Sequence, residues 1–168
     1  MHQTPPLGLI LGAGLLLSAS QALAATPAPD KSFAMKAAQG GLAEVQDGQL
    51  AAQKATSPLV KQFGQRMVTD HSQANDELQQ IAEQQNLTLP TQPGATQQAT
   101  DRRLRAMAGA DFDTAYMNHA VQDHQQDVAA FQREAQSGKD PALKAFAQKY
   151  LPIIRTHLQL AQTVSARR

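Results

Sequence analysis

Four long segments of this chain repeat apolar and small residues three or four positions apart, which predicts four amphipathic helices. On the apolar face of each predicted helix stands one ionisable residue. Because such faces are buried against neighbouring helices, the pattern predicts an all-α four-helix bundle with a polar layer in its core. The helices are expected at about residues 31–55, 57–85, 111–138 and from 140 onward, and the ionisable residues are Glu44, His71, His124 and His157.

The first 24 residues have the pattern of a secretory signal peptide. The apolar run from Leu7 to Leu17 is shorter than the roughly 20 residues of a membrane span. An A-x-A cleavage pattern, Ala22-Leu23-Ala24, follows it, so we expect a mature start at Ala25 and a periplasmic location. An uncleaved membrane anchor is the alternative.

The same reading divides the chain into a signal peptide (1–24), an extended leader (25–31) and one bundle domain (32–165). The sequence contains no cysteine, so an exported form would have neither a disulfide nor a lipid-attachment site and would depend on its core for stability. After signal cleavage we expect no membrane span.

Charge excludes one class of partner. Fifteen Lys and Arg residues against 14 Asp and Glu residues leave a net charge of +1, whereas a nucleic-acid-binding domain carries a basic stripe. The short basic group Arg102, Arg103 and Arg105 lacks neighbouring aromatic residues and is expected to be a solvated face. A protein partner stays open, and the pattern does not indicate an oligomeric state.

Several residues predict local features of the helices. Gly40, Gly41 and Gly48 lie on the inward stripe of the first helix, where they would let a neighbouring backbone approach closely. Ser57 and Pro58 are typical of an N-cap and first helical position. Pro152 interrupts the fourth helix on the side opposite its apolar stripe, so we expect a solvent-side kink.

About 25 residues separate the second and third long helices, and a short extra helix is predicted over residues 100–108. The second helix is roughly 40 Å long at 1.5 Å per residue, which a partly extended connection of this size can travel. A connection that travels the length of the bundle would give the ferritin-like arrangement. An irregular loop that does not would give a plain up-and-down bundle. Length alone favours neither.

Several motifs resemble a known bacterial family, the "domain of unknown function 4142" family. The resemblance covers about residues 32–164 and implies an exported protein of the ferritin-like superfamily with an unassigned activity. It therefore implies the long crossover. The matching segments are Ala37–Val45, Arg66–His71, Phe112–Met117, Asp123-His124, and Leu151-Pro152 with His157.

The inward polar groups are a candidate metal site. Ferritin-like di-iron centres use two Glu-x-x-His motifs. Because no glutamate stands three residues before any of the predicted core histidines, a di-iron centre is not expected. Three imidazoles and one carboxylate could instead hold a single Zn, Cu or Fe ion. The candidate ligands are Glu44, His71, His124 and His157, and the candidate acceptors for their N–H groups are Asp70, Asn75, Asp123 and Asp127.

Counting residues from each hairpin tests whether these groups lie at one level. Glu44 and His71 differ by roughly 4.5 Å along the bundle, and His124 and His157 by about 7.5 Å. The second offset is awkward for one ion. A neutral, hydrogen-bonded layer that only sets helix register is therefore the competing interpretation, with Glu44, Asp127, Tyr116 or Tyr150 as partners.

Two classes of function follow, and the absence of the di-iron motif favours the first. The first is an exported, non-catalytic bundle that serves envelope maintenance or stress tolerance. The second is a single-site metal-binding protein for storage, buffering or redox work. The sequence offers no Ser-His-Asp or Cys-His grouping and no glycine-rich phosphate loop, which favours a protein that is not an enzyme.

Overall fold

A computed structural model describes residues 25–167, so the predicted signal peptide lies outside the described residues. Those residues form helices and contain no strand, which confirms the all-α prediction. Four helices are long and one is short. They are α1 (Ala28–Lys54), α2 (Pro58–Gln84), α3 (Ala95–Ala106), α4 (Gly109–Ser137) and α5 (Pro141–Arg167).

The connection between α2 and α4 runs the length of the bundle. At one end, the carboxylate of Asp113, in the first turns of α4, accepts a hydrogen bond from the Thr56 hydroxyl in the first hairpin. At the other end, the Gln85 side chain, directly after α2, donates to Asp140 in the second hairpin. The chain therefore leaves α2 at one end and enters α4 at the opposite end. This arrangement is the predicted long crossover.

The crossover carries α3 along α1, and this helix is longer than the sequence indicates. It begins at Ala95, five residues before the predicted start at Thr100. Leu104 is fully buried and fixes α3 against the core. The Lys54 ammonium also donates to the carbonyl oxygens of Arg105 and Met107, which satisfies acceptors left free at the end of a helix.

The N-terminal leader is helical from Ala28, where an extended segment to residue 31 was predicted. Pro29 fits the first turn because a proline there removes no intrahelical hydrogen bond. The buried Asp30 carboxylate accepts backbone N–H groups from Lys139 and Asp140. A hydrogen bond between residues 109 positions apart therefore stabilises the first turn of α1, and no local sequence pattern predicts it.

The start of α2 is also capped from a distance. Ser57 occupies the predicted N-cap position, but its side chain makes no capping hydrogen bond. The Asp113 carboxylate accepts the backbone N–H groups of both Thr56 and Ser57 instead. Pro152 is exposed, as predicted, and α5 continues through it.

The polar layer lies between two apolar clusters. One cluster surrounds Phe63 and Phe112 near the first hairpin, and the other surrounds Phe131 and Phe146 near the second. Each long helix contributes to both clusters and carries its buried ionisable residue between them. Within residues 25–167, no helix is both long and apolar enough to cross a membrane.

Candidate metal centre

Three buried histidines from three helices meet in the middle of the bundle. His71 of α2, His124 of α4 and His157 of α5 are 7%, 0% and 1% exposed. Their ring centroids are 5.7, 5.3 and 5.4 Å apart, an almost equilateral triangle. Each ring offers one nitrogen such that all three nitrogens lie within 4.8 Å of one another.

Hydrogen bonds fix the protonation of two rings. His124 Nδ1 lies 2.8 Å from the Ala120 carbonyl oxygen, and His157 Nε2 lies 2.7 Å from Asp70 Oδ2. Each of these nitrogens must therefore donate, which leaves a lone pair on the other nitrogen of a neutral ring. Those nitrogens, His124 Nε2 and His157 Nδ1, and also His71 Nε2, are buried without a hydrogen-bond partner among residues 25–167.

Burial keeps the three rings neutral. It holds the pKa of His71 well below its ordinary value, and His124 and His157 lower it further. Burial lowers the pKa of His124 to about 4, although the bond to Ala120 opposes the shift. Burial also lowers the pKa of His157 against the opposing effect of Asp70. Neutral imidazole is the form that binds a metal ion.

Asp70 supports the site from outside. Its carboxylate lies between His157 and the Arg66 guanidinium, whose Nε is 3.2 Å from Asp70 Oδ2. A carboxylate that accepts the second N–H of a histidine orients the ring and raises its basicity as a ligand. The predicted acceptor role of Asp70 therefore has matching geometry.

Glu44 is buried at the same level but on the far side of one ring. Its Oε1 lies 3.6 Å from His124 Nδ1, whereas the unpartnered nitrogen of that ring is Nε2. Burial raises the pKa of Glu44 well above its ordinary value, and the charges of Asp123 and Asp127 add to the shift. The structure therefore brings three of the four predicted ligands together and places Glu44 behind His124.

The remaining predicted acceptors do not hydrogen-bond to the histidines. Asp123 lies beside Glu44 and within hydrogen-bonding reach of it when one carboxyl is protonated. Asn75 packs against Gly41, where an added Cβ would lie 2.1 Å from Asn75 Oδ1. Asp127 is half-buried, and burial next to Asp123 raises its pKa to about 8.

Two alternative partners proposed for the histidines have other environments. The Tyr150 hydroxyl donates to Glu77 Oε2 at 2.9 Å. The Tyr116 hydroxyl is buried without a hydrogen-bond partner among the described residues. Neither tyrosine therefore forms a hydrogen bond with the unpartnered histidine nitrogens.

Sequence reasoning missed two contributions near the site. The Ala120 carbonyl, which orients His124, is a backbone group four residues earlier in the helix, so no residue type signals it. Asp47 is 2% exposed and lies 3.6 Å from Nε2 of the half-buried His119. Asp47 stands three residues after Glu44, and His119 stands four residues before Asp123. This helical spacing is the only sequence signal that could have identified the pair.

The triangle fits a single transition-metal ion. Metal–nitrogen bonds of about 2.0–2.1 Å in a tetrahedral site place the nitrogens roughly 3.4 Å apart. The three ring nitrogens lie within 4.8 Å of one another. Each ring therefore has to move by no more than about 1 Å to reach the tetrahedral spacing. Small rotations about the side-chain torsions supply such movements.

Comparisons with known proteins support the fold and leave the chemistry open. Residues 16–164 match the family described as "Domain of unknown function (DUF4142)". Among curated proteins, none matches this sequence.

Three solved structures are similar in fold, all at low sequence identity. A DUF305 fragment from Deinococcus radiodurans has a TM-score of 0.75 at 10% identity, over 86% of this chain and 100% of that one. The conserved hypothetical protein Rv2844 from Mycobacterium tuberculosis has a TM-score of 0.64 at 14% identity, over 82% and 91%. A protein from Anabaena variabilis with DJ-1/ThiJ/PfpI-like and ferritin-like domains has a TM-score of 0.61 at 13% identity, over 84% and 38%.

Proposed function

The chain belongs to the DUF4142 family, a domain of unknown function, and we propose that it is a metal-binding protein that holds one transition-metal ion between His71, His124 and His157. One observation carries the proposal: three neutral imidazoles from three helices each offer a ring nitrogen within 4.8 Å of the other two, and each ring has one buried nitrogen without a hydrogen-bond partner among the described residues. A buried polar atom without a partner costs about 1–3 kcal/mol. A ligand shared by the three rings would remove this cost.

The donor set indicates the class of ion. Three imidazoles suit Zn²⁺, Cu²⁺ or Fe²⁺ and are a poor match for Mg²⁺ or Ca²⁺, which prefer oxygen ligands. The Asp70 carboxylate behind His157 resembles the supporting groups found at zinc sites. Glu44 lies behind His124 and is not one of the nearest ligands of a bound cation.

The space around the site favours binding over catalysis. A cavity of about 20 Å³ adjoins His71 and His157, and a single water needs roughly 10–15 Å³. The cavity therefore has room for a water molecule beside His71 and His157 but not for a substrate. Storage or buffering of the ion in the cell envelope, and through it stress tolerance, is the role that follows for an exported form.

Metal analysis combined with histidine variants tests the proposal. The untagged protein is purified from a periplasmic preparation, stripped with a chelator and titrated with Zn²⁺ or Cu²⁺. We expect one ion per wild-type chain and loss of that ion in His71→Ala and His124→Ala. We also expect the ion to raise the wild-type melting temperature, because it binds the folded state only.

His119→Ala is the matched control, since His119 lies on the same helix as His124 but outside the triangle and contacts Asp47. It should retain one ion and the thermal shift. Circular dichroism establishes that each variant is folded. A metal-free wild-type protein with no metal-dependent shift would contradict the proposal and leave a structural polar layer as the function of the histidines.

A further inference from the structure

A groove opens on the outside of the bundle between α1 and α4. Its volume is about 400 Å³, and Phe33 and Arg133 are among its lining residues. Further inside lies the small cavity that touches His71 and His157. The groove is the larger space and the cavity is the one in contact with the site.

A single layer of side chains separates the two spaces. Ala37, Asp127 and Phe131 line both the groove and the cavity. The Phe131 ring is 5.0 Å from that of Phe33, which lines only the groove, and 5.9 Å from that of Phe146, which lines only the cavity. Phe131 is therefore the aromatic residue at the boundary.

On this basis, and resting on the metal site proposed above, we propose that the ion enters and leaves through the groove between α1 and α4, past Phe131. Ala37 also lines both spaces, and because its side chain is small, the Phe131 ring is the bulkier group at the boundary. Phe131 is 6% exposed, so the ring closes the path in the resting state.

Asp127 places a carboxyl group on this path, and because burial raises its pKa to about 8, it offers a negative charge to a passing cation above that pH. Its carboxylate is half-buried at the boundary and makes no hydrogen bond or ion pair with the other described residues, so it is available to a passing cation. On the side of α2, the Asp70 carboxylate is already engaged by His157 and Arg66. A cation passing there would have to break both contacts, which favours the path along Asp127.

Metal-exchange kinetics test this path. Co²⁺ serves as the probe, because its absorption changes on binding, and the uptake rate, release rate into a chelator and Kd are measured. Phe131→Leu should speed uptake and release by about tenfold each, because one barrier controls both directions, and leave Kd within about twofold. The control Phe146→Leu removes the same volume from the same aromatic cluster and should leave both rates within about twofold.

Asp127→Asn is an independent variant that keeps the shape of the side chain and folds even if Phe131→Leu does not. Above pH 8, where the wild-type carboxyl is ionised, Asp127→Asn should slow uptake by about tenfold while the spectrum of the bound ion stays unchanged. Equal acceleration by both phenylalanine variants, or no effect of Phe131→Leu and Asp127→Asn, would overturn the path while leaving the metal site intact. A wild-type protein that binds no Co²⁺ would overturn the site and the path together.

Discussion

At the scale of single residues, the hydrogen-bonding state of each imidazole nitrogen decides what the cluster can bind. His124 donates to the Ala120 carbonyl and His157 to Asp70, so both rings turn a lone pair inward. Burial lowers the pKa of all three histidines, so protons do not compete for these lone pairs near pH 7. The cluster is therefore prepared for a cation that accepts nitrogen ligands.

Removing the carboxylate behind His157 should weaken the metal site without abolishing it. Asp70→Asn loses the charge that makes the ring a stronger ligand, and loss of such a supporting group lowers metal affinity by about 10–100-fold. Competition with a chromophoric chelator measures the change in Kd. Asp76→Asn, an exposed position on the same helix, should leave Kd unchanged, and an equal effect of the two variants would refute the supporting role.

The pH dependence of the metal-free protein should report Asp127. Its pKa is about 8 in the folded state and close to 3.9 in the unfolded chain, so the folded state binds more protons between these values. Its contribution to stability is therefore present at low pH and lost as pH rises toward 8. From pH 5 to pH 8, the free energy of unfolding of Asp127→Asn should rise by at least about 1 kcal/mol relative to that of wild type, as measured by urea unfolding. If the difference in free energy of unfolding between the two proteins did not change with pH, the pKa of the Asp127 carboxyl would not be raised.

The helical spacing of His71, His124 and His157 is visible in the sequence, and their burial was predicted correctly. Their common level was not evident, because residue counts place His124 and His157 about 7.5 Å apart. The Cα–Cβ bond tilts toward the N-terminus of a helix. In antiparallel helices the two side chains therefore lean toward each other, which closes most of the offset. The position of Glu44 behind His124 depends on rotamers, which spacing does not specify.

At the scale of the helices, close backbone contact holds α1 against α2. A Cβ added at Gly48 would lie 2.7 Å from the Gly64 carbonyl oxygen, whereas one at Gly40 would meet nothing within 4 Å. The sequence predicts that Gly40 and Gly48 both face a neighbouring backbone, which is confirmed for Gly48 and wrong for Gly40.

Alanine substitutions at these two glycines should have opposite effects on stability. Gly48→Ala forces the helices apart and should cost about 1–3 kcal/mol, as overpacking does. Gly40→Ala should stabilise by up to about 1 kcal/mol through helix propensity. Urea unfolding measures both, and a destabilised Gly40→Ala or an unaffected Gly48→Ala would contradict the contact.

The long helices were predictable to within a few residues because their apolar repeats are regular over more than six turns. Errors lie where distant residues control the ends. Asp30 bonds across to the second hairpin and extends α1 to Ala28, and Asp113 caps α2 from α4. The start of α3 at Ala95 was missed because residues 95–99, Ala-Thr-Gln-Gln-Ala, carry no apolar periodicity.

At the scale of the whole molecule, the four long helices place the histidine layer between two apolar clusters. Water is excluded from both ends of the bundle, and this exclusion keeps the imidazoles neutral. Each of the three ligand helices is anchored in both clusters, so the site should stay formed in the metal-free protein.

Export is the remaining prediction at this scale. Cleavage after Ala24 should leave a mature chain that begins with Ala25, three residues before α1. Intact-mass measurement of protein from the periplasmic fraction tests this expectation. A chain that retains its first 24 residues would contradict both the cleavage and the proposed place of action.

The central claim, one metal ion held by three imidazoles, is tested most directly by an anomalous diffraction map of crystals grown with Zn²⁺. We predict a single strong peak inside the bundle, with His71 Nε2, His124 Nε2 and His157 Nδ1 at about 2.0–2.1 Å. A map with no peak between these rings, or with zinc only at surface carboxylates, would contradict the account.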